Sequence, residues 1–183
     1  MPGSTFDRQL GIVVTEPSLT WQPAYIGIGS NLDSPAQQVE RAIQAIAELE
    51  GCFLAARSSL YRSAPMGPVE QPDFTNAAVS IMTIADPLTL LSKLQEIENA
   101  QGRKRDGEHW GPRTLDLDLL MHGRTVMDDP DLTLPHPGIA LRNFVLLPLA
   151  EIAPAVTVPG LASVATLCRR IVDEQPEIEQ IPN

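Results

Sequence analysis

The chain reads as an α+β domain with a ferredoxin-like βαββαβ core: an antiparallel sheet with helices packed on it and helical additions towards the C-terminus. Two observations predict this class. Short apolar segments with strand-like alternation occur at 24–28, 53–61, 74–84 and 115–120. Segments with helical spacing and their own start and stop residues lie between the first and second of these and between the third and fourth. That order of elements is the βαββαβ pattern.

Ala24-Tyr-Ile-Gly-Ile28 is the first strand, and Gly29-Ser-Asn-Leu-Asp33 turns the chain into a helix. Ser34 suits an N-cap, Pro35 the first helical position and Gln37 the third, which predicts a capping box. Val39, Ala42, Ile43 and Ile46 then form one face, and Gly51 ends the helix. The second strand spans 53–61. In the third, 74–84, Ala77, Val79 and Ile81 alternate with Ala78, Ser80 and Met82. The link 62–73 between them holds Pro65, Gly67, Pro68 and Pro72 and exceeds what a hairpin needs, as functional loops often do. Asp86-Pro87 caps a second helix whose Leu88, Leu91, Leu94 and Ile97 keep helical spacing, with Gly102 as its stop. A polar loop, 103–113, leads into the fourth strand, and residues 143–151 and 161–172 read as shorter helices.

A chain of 183 residues suits one domain with a proper core. Residues 1–22 hold Pro, Gly, Ser and Thr without periodicity and read as a loosely ordered extension. The catalytic domain is expected over 23–175, and 176–183 as a C-terminal tail. A net charge of −10 argues against a general nucleic-acid surface, which needs cationic stripes. Of the basic residues only Lys93 and Lys104 are Lys, and the rest are Arg, a bias that favours planar, bidentate recognition of phosphate. Cys52 and Cys168 stand alone, without the spacing of a zinc site or a disulfide framework, and no apolar run is long enough to cross a bilayer. The expectation is a cytoplasmic monomer that works on small molecules, with no nucleic acid and no membrane.

The most informative stretch is Trp110-Gly-Pro-Arg-Thr-Leu-Asp-Leu-Asp118. Alternation puts Leu115, Leu117 and Leu119 on one face of a strand and Asp116 and Asp118 on the other, about 7 Å apart by strand rise. Like charges on one face repel. Such a pair is either a solvated edge or compensated by a divalent cation, and Mg²⁺ takes one or two carboxylates completed by water and substrate phosphates. Arg103, Arg105 and Arg113 beside it are either a solvated basic loop or a clamp on phosphate oxygens. No Gly-rich phosphate loop occurs, and Gly27-Ile-Gly29 lacks the third glycine of a dinucleotide fingerprint. His136, held between Pro135 and Pro137, is an ordinary loop residue or a phosphate contact. Phe74 and Phe144 are core residues or stacking partners for a flat heterocycle, and Asn76 shares the strand face of Phe74. Trp110 is core or a loop latch.

Together these motifs resemble the 6-hydroxymethyl-7,8-dihydropterin pyrophosphokinase family. The resemblance runs through Ala24-Tyr-Ile-Gly-Ile-Gly-Ser-Asn-Leu32, Tyr61-Arg-Ser-Ala-Pro65, Gln71-Pro-Asp-Phe-Thr-Asn-Ala77, Gly102-Arg-Lys-Arg105, the stretch 110–118, Pro135-His136 and Arg142-Asn-Phe144. It implies transfer of pyrophosphate from ATP to the hydroxymethyl oxygen of the dihydropterin, releasing AMP, in folate biosynthesis. It also implies two Mg²⁺ ions on Asp116 and Asp118, and Arg103 and Arg113 on the phosphates in a closing loop sealed by Trp110. Arg105 matches another loop arginine. Gln95, Glu98, Leu119, Thr133, His136 and Arg142 match nucleotide positions. Phe74 and Phe144 sandwich the pterin, whose edge is met by Asn76 and by groups near Ser63, Ala64 and Met66. Phe74 stands where Tyr is common, Ser63 where Thr is common, Ala64 where Pro is common, and Asp131 where some members carry a basic residue. A two-metal phosphohydrolase and a non-catalytic nucleotide-binding module are the competing readings.

Overall fold

The computed structural model describes residues 20–66, 70–103, 111–171 and 177–182, and the backbone alone of 4–7 and 12–15. The strands are β1 (Ser4–Asp7), β2 (Ile12–Thr15), β3 (Gln22–Ser30), β4 (Cys52–Arg57), β5 (Tyr61–Ser63), β6 (Phe74–Thr83), β7 (Asp116–His122), β8 (Met127–Asp128), β9 (Thr133–Leu134) and β10 (Ile178–Gln180). The helices are α1 (Pro35–Ala47), α2 (Pro87–Ala100), α3 (Asn143–Ile152) and α4 (Val164–Arg170), with a 3₁₀ turn at Ile139–Leu141. Strands β7, β3, β6 and β4 lie side by side in that order, every pair antiparallel, with α1 joining β3 to β4 and α2 joining β6 to β7. This is the ferredoxin-like arrangement.

Alternation along the strands splits the apolar residues between two faces. On one, Ile26, Ile28, Val79, Ile81, Leu117 and Leu119 pack against Val39, Ile43 and Ile46 of α1 and Leu90 and Leu94 of α2. On the other, Tyr25, Ala78, Leu120 and Met121 pack against Leu146 and Leu149 of α3 and Val164 and Leu167 of α4. Leu120 and Met121, although adjacent, share one face because the β3–β7 register shifts there: Ile26 faces Leu119, whereas Tyr25 faces Met121. Leu120 is the extra residue of a bulge.

The Asp86 carboxylate caps α2, accepting from the Leu88 and Thr89 amides at 3.1 and 3.0 Å. At the other end Gly102, at φ +83°, closes a Schellman motif in which Gly102 N–H donates to Asn99 O and Arg103 N–H to Glu98 O, both at 3.0 Å. Several expectations are corrected. The capping box on α1 does not form: Ser34 adopts a left-handed conformation (φ 65°) that turns its hydroxyl away, and Gln38 Nε2 donates to Asp33 O instead. The strand expected over 53–61 divides at Ser58, whose hydroxyl accepts the Ala78 amide at 2.9 Å in place of a backbone partner. On α2 the inward face is Leu90, Leu94, Ile97 and Glu98, and Leu88 is exposed. Within 1–22, β1 pairs with β2 as a small antiparallel ladder, and β3 already begins at Gln22. The tail expected at 176–183 contains β10, which pairs with β5 because β5 otherwise has a neighbour on one side only.

Asp86→Ala should lower stability by about 1 kcal/mol, the usual worth of an N-cap. Chemical denaturation should show a lower midpoint with an unchanged slope, and catalytic turnover at 25 °C should be retained.

Candidate active site

The site lies on the open part of the sheet face that also packs α3. Because β7 alternates, Leu117 and Leu119 enter the core under α1 and α2, which sends Asp116 and Asp118 to the opposite face. In register, Asp116 lies opposite Gly29 and Asp118 opposite Gly27, while on the far side of β3 Gly29 lies opposite Asn76. A row Asp116, Gly29, Asn76 therefore crosses three strands. The two glycines leave this floor bare: a Cβ on Gly29 would stand 3.5 Å from Asn76 Oδ1 and 3.9 Å from the Phe74 ring. Above the floor is a cleft of about 260 Å³, to which Ser63, Ala64, Met66, Gln71, Phe74, Asn76, Phe144 and Val145 contribute one end and Arg113, Asp116, Asp118, His136 and Arg142 the other.

At the charged end, Asp116 is gripped from two sides. Arg103 Nη1 lies 2.7 Å from its Oδ1, and Arg113 binds its Oδ2. Arg103 also pairs with Glu98, which is 1% exposed and accepts the Leu117 amide at 2.7 Å through Oε1. Burial opposes the charge on Arg103, but Asp116 and Glu98 outweigh it and raise its pKa. The Schellman turn after α2 brings Arg103 directly back to Glu98, so one helix end positions both. Asp118 has no such guanidinium partner among the described contacts. Burial and then the neighbouring Asp116 carboxylate push its carboxyl above the ordinary range, partly offset by His136, Arg142 and Arg113. His136 Nε2 stands 4.0 Å from Asp118 Oδ1, and His136 Nδ1 accepts the Gly138 amide at 3.0 Å, so a neutral imidazole carries its proton on Nε2, facing Asp118.

At the other end Asn76 Nδ2 donates to Ser63 Oγ at 2.9 Å, which leaves Asn76 Oδ1 facing the floor over Gly29. The Arg142 guanidinium sits 5.9 Å from the centre of the Phe144 ring, a cation–π contact.

The structure gathers most of the residues expected from sequence. Gln95 does not line the cleft. Leu119 is buried in the core and Glu98 behind Arg103, while Thr133 is exposed and donates to Asp128 Oδ1 at 3.2 Å. Arg105 and Trp110 lie outside the described residues. Sequence reasoning missed several others. From sequence, Gly27 and Gly29 read as an incomplete nucleotide fingerprint and Gly29 also as the start of a turn, yet Gly29 lies within β3, and two glycines at alternate positions of a strand mark a bare surface. Gly138 admits two site residues together, since a Cβ there would meet His136 Cε1 at 2.9 Å and Arg142 Nε at 3.0 Å. Asn31, 2% exposed, receives the Arg113 amide on Oδ1 at 2.7 Å and donates through Nδ2 to Gln71 Oε1 at 3.0 Å and Pro72 O at 3.1 Å. It ties the loops at the two ends of the cleft, a role that no spacing signals.

Paired carboxylates fronted by arginines, set across a glycine floor from an aromatic slot with a fixed amide, define a small-molecule phosphotransferase on an α+β sheet. The chain belongs to the 7,8-dihydro-6-hydroxymethylpterin-pyrophosphokinase (HPPK) family, which residues 25–154 match. The 2-amino-4-hydroxy-6-hydroxymethyldihydropteridine pyrophosphokinase of Haemophilus influenzae is 43% identical over 152 residues, 83% of this chain and 94% of the relative. Its Pseudomonas aeruginosa counterpart is 46% identical over 138 residues, 75% of this chain and 85% of the relative. Among solved structures, wild-type Plasmodium falciparum HPPK-DHPS with pterin and p-hydroxybenzoate superposes with a TM-score of 0.68 at 16% identity. That match covers 84% of this chain and 43% of the longer one, and it supports the fold.

Gly29→Ala should leave the fold intact, because the new methyl makes only ordinary contacts, but it should raise the cleft floor. Steady-state kinetics should show the KM for the pterin rising on the order of tenfold, about 1.4 kcal/mol of binding, with an unchanged circular dichroism spectrum.

Proposed function

We propose that this cleft is where pyrophosphate passes from ATP to the hydroxymethyl oxygen of 6-hydroxymethyl-7,8-dihydropterin, giving AMP and the pterin diphosphate for folate biosynthesis. The observation that carries the reading is the shared sheet face: the carboxylate pair and the amide and aromatic slot open into one cleft, separated by bare backbone. A planar ring between Phe74 and Phe144 would lie with its polar edge towards Asn76 and Ser63 and its substituent towards Asp116 and Asp118.

The reaction as proposed is Mg²⁺-dependent, with two ions, and the donors fit. Asp116 and Asp118 are hard oxygen donors on adjacent cleft-facing positions; burial and then repulsion from Asp116 raise the Asp118 carboxyl, and a divalent cation would relieve that repulsion. No cluster of three or more His, Cys, Asp or Glu that could hold a metal occurs among the described residues, so water and phosphate oxygens would complete the shell. When bound, Mg²⁺ neutralises the triphosphate and polarises its phosphorus–oxygen bonds.

The chain's own groups do the rest. Arg113 and Arg103, now neutralising Asp116, offer planar donors to phosphate oxygens, and Glu98 keeps Arg103 at the site throughout. His136 Nε2–H and Arg142 donate to the nucleotide, and Gly138 lets the two stand close. Asp118, the cleft-facing carboxylate nearest His136, is the acceptor for the hydroxyl proton. Positioning and charge neutralisation supply the acceleration, as in other phosphoryl transfers. Family resemblance assigns Arg105, Trp110, Gln95, Leu119 and Thr133 to the nucleotide; Arg105 and Trp110 lie outside the described residues, and the other three lie outside the cleft lining. No helix among the described residues is long and apolar enough to cross a membrane. The reading expects a cytoplasmic monomer on soluble substrates.

The deciding experiment incubates the protein with ATP, Mg²⁺ and the pterin. AMP and pterin diphosphate should appear in equal amounts, whereas inorganic phosphate without AMP would refute the reading. Chelation by EDTA should stop turnover and added Mg²⁺ restore it. Asp116→Ala should lower kcat by about a hundredfold or more while the protein stays folded. Asn76→Ala should mainly raise the KM for the pterin, by about tenfold, with little change in the KM for ATP.

A further inference from the structure

The strand that carries Ser63 is only three residues long, Tyr61–Ser63, and pairs with β6 over Tyr61–Asn76, Arg62–Thr75 and Ser63–Phe74. On that side it is a short edge segment, and beyond Ser63 the chain enters the loop that carries Ala64 and Met66. A strand this short with one neighbour is weakly held, since each backbone bond of a ladder adds little on its own. Its position nevertheless decides the cleft, because Ser63 Oγ is the partner that turns the Asn76 amide.

The other side of β5 is covered by β10, with Ile178 opposite Ser63, Glu179 opposite Arg62 and Gln180 opposite Tyr61. The ladder continues one residue further, where Ile181 N–H donates to Leu60 O at 2.8 Å. Bonded pairs alternate along an antiparallel ladder, so Glu179 N–H is the next donor, directed at Arg62. The side chains add a second attachment. Gln180 Nε2 donates to Ser59 Oγ at 2.7 Å, and Ser59 in turn donates to Glu151 through its amide at 3.0 Å and its hydroxyl at 2.9 Å. Tyr61 donates its hydroxyl to the same carboxylate at 2.9 Å. Glu151 lies near the end of α3, whose start carries Phe144, so this network links β10 to both walls of the aromatic slot. The Arg62–Glu179 ion pair, 3.8 Å apart and solvent-exposed, contributes little. Strand β10 lies outside residues 25–154, the segment that matches the family.

We propose that β10 is a positioning element for the acceptor substrate: its pairing along β5 holds Ser63 in place and, through the Ser63 hydroxyl, the Asn76 amide that meets the pterin edge. This rests on the reading of the cleft given above. The alternative is a strand that only covers a sheet edge, which would support stability and solubility without touching substrate affinity.

The test uses the full chain with Glu179→Pro and Ile181→Pro together, which removes both donors to β5. Amide exchange at Arg62 and Ser63 should quicken, and the KM for the pterin should rise by about fivefold or more while kcat and the KM for ATP stay within about twofold. Gln180→Ala, which keeps the ladder, should move the same parameter in the same direction by less. If the double variant does not fold, Gln180→Ala decides. Faster exchange with an unchanged pterin KM would overturn the proposal, as would unchanged exchange at Arg62 and Ser63, or a loss shared equally by kcat and both KM values. For Gln180→Ala, an unchanged pterin KM overturns it. Asn76→Ala keeps the two readings separable: if it leaves the pterin KM unchanged, the cleft assignment fails; if it raises that KM and the β10 variants do not, only β10's role fails.

Discussion

The register of β3 against β7 is the constraint on which the site depends. Side chains alternate along a strand, so a one-residue slip of β7 would carry Asp116 and Asp118 into the core beneath α1 and α2 and turn Leu117 and Leu119 to the cleft. Burial of those leucines therefore selects the register that presents the acids. The same register aligns Gly27 and Gly29 with the two carboxylates, so one strand serves as both an interior strand of the sheet and the floor of the cleft. Beyond the acids, the Leu120 bulge puts Leu120 and Met121 together on the face that packs α3.

Charge in the site is arranged in depth. Glu98 is buried and would be costly alone, but Arg103 and the Leu117 amide share it, so it becomes the rear anchor of an array that runs forward through Arg103 to Asp116 and Arg113. Asp116 is thereby neutralised from the protein side. Asp118, by contrast, keeps a raised carboxyl beside it. Two acids of one motif so acquire different character from their surroundings: guanidiniums hold Asp116, and none is paired with Asp118 among the described contacts.

The two ends of the cleft are built from distant parts of the chain yet held by common struts. Asn31 joins the segment around Arg113 to the one around Gln71, and Glu151 joins α3 to the β4–β5 link. None of these struts has the chemistry of a ligand site, and each holds residues that do.

Local rules explain what was legible in the sequence. Strand alternation at 115–119, the Asp86 cap, the Gly102 stop and the element order all follow from preferences of a few neighbouring residues, and the fold class, the acid pair and its arginines came from them. Resemblance of motifs supplied the family and with it Ser63, and it chose the stacking role for Phe74 and Phe144 that the residues had left open against a core role. Where local rules failed, a tertiary partner had taken over: Ser58 left its strand to receive the Ala78 amide, and residues near the C-terminus became a strand because β5 needed a second neighbour. The sequence by itself thus determined which residues can do the chemistry and which faces must be buried, since period and side-chain type are carried by the chain. Only the tertiary structure decided that Gly27 and Gly29 form a floor, that Glu98 stands behind Arg103 and that Asn31 joins two loops, because these depend on contacts between segments whose separation along the chain carries no information about their distance in space.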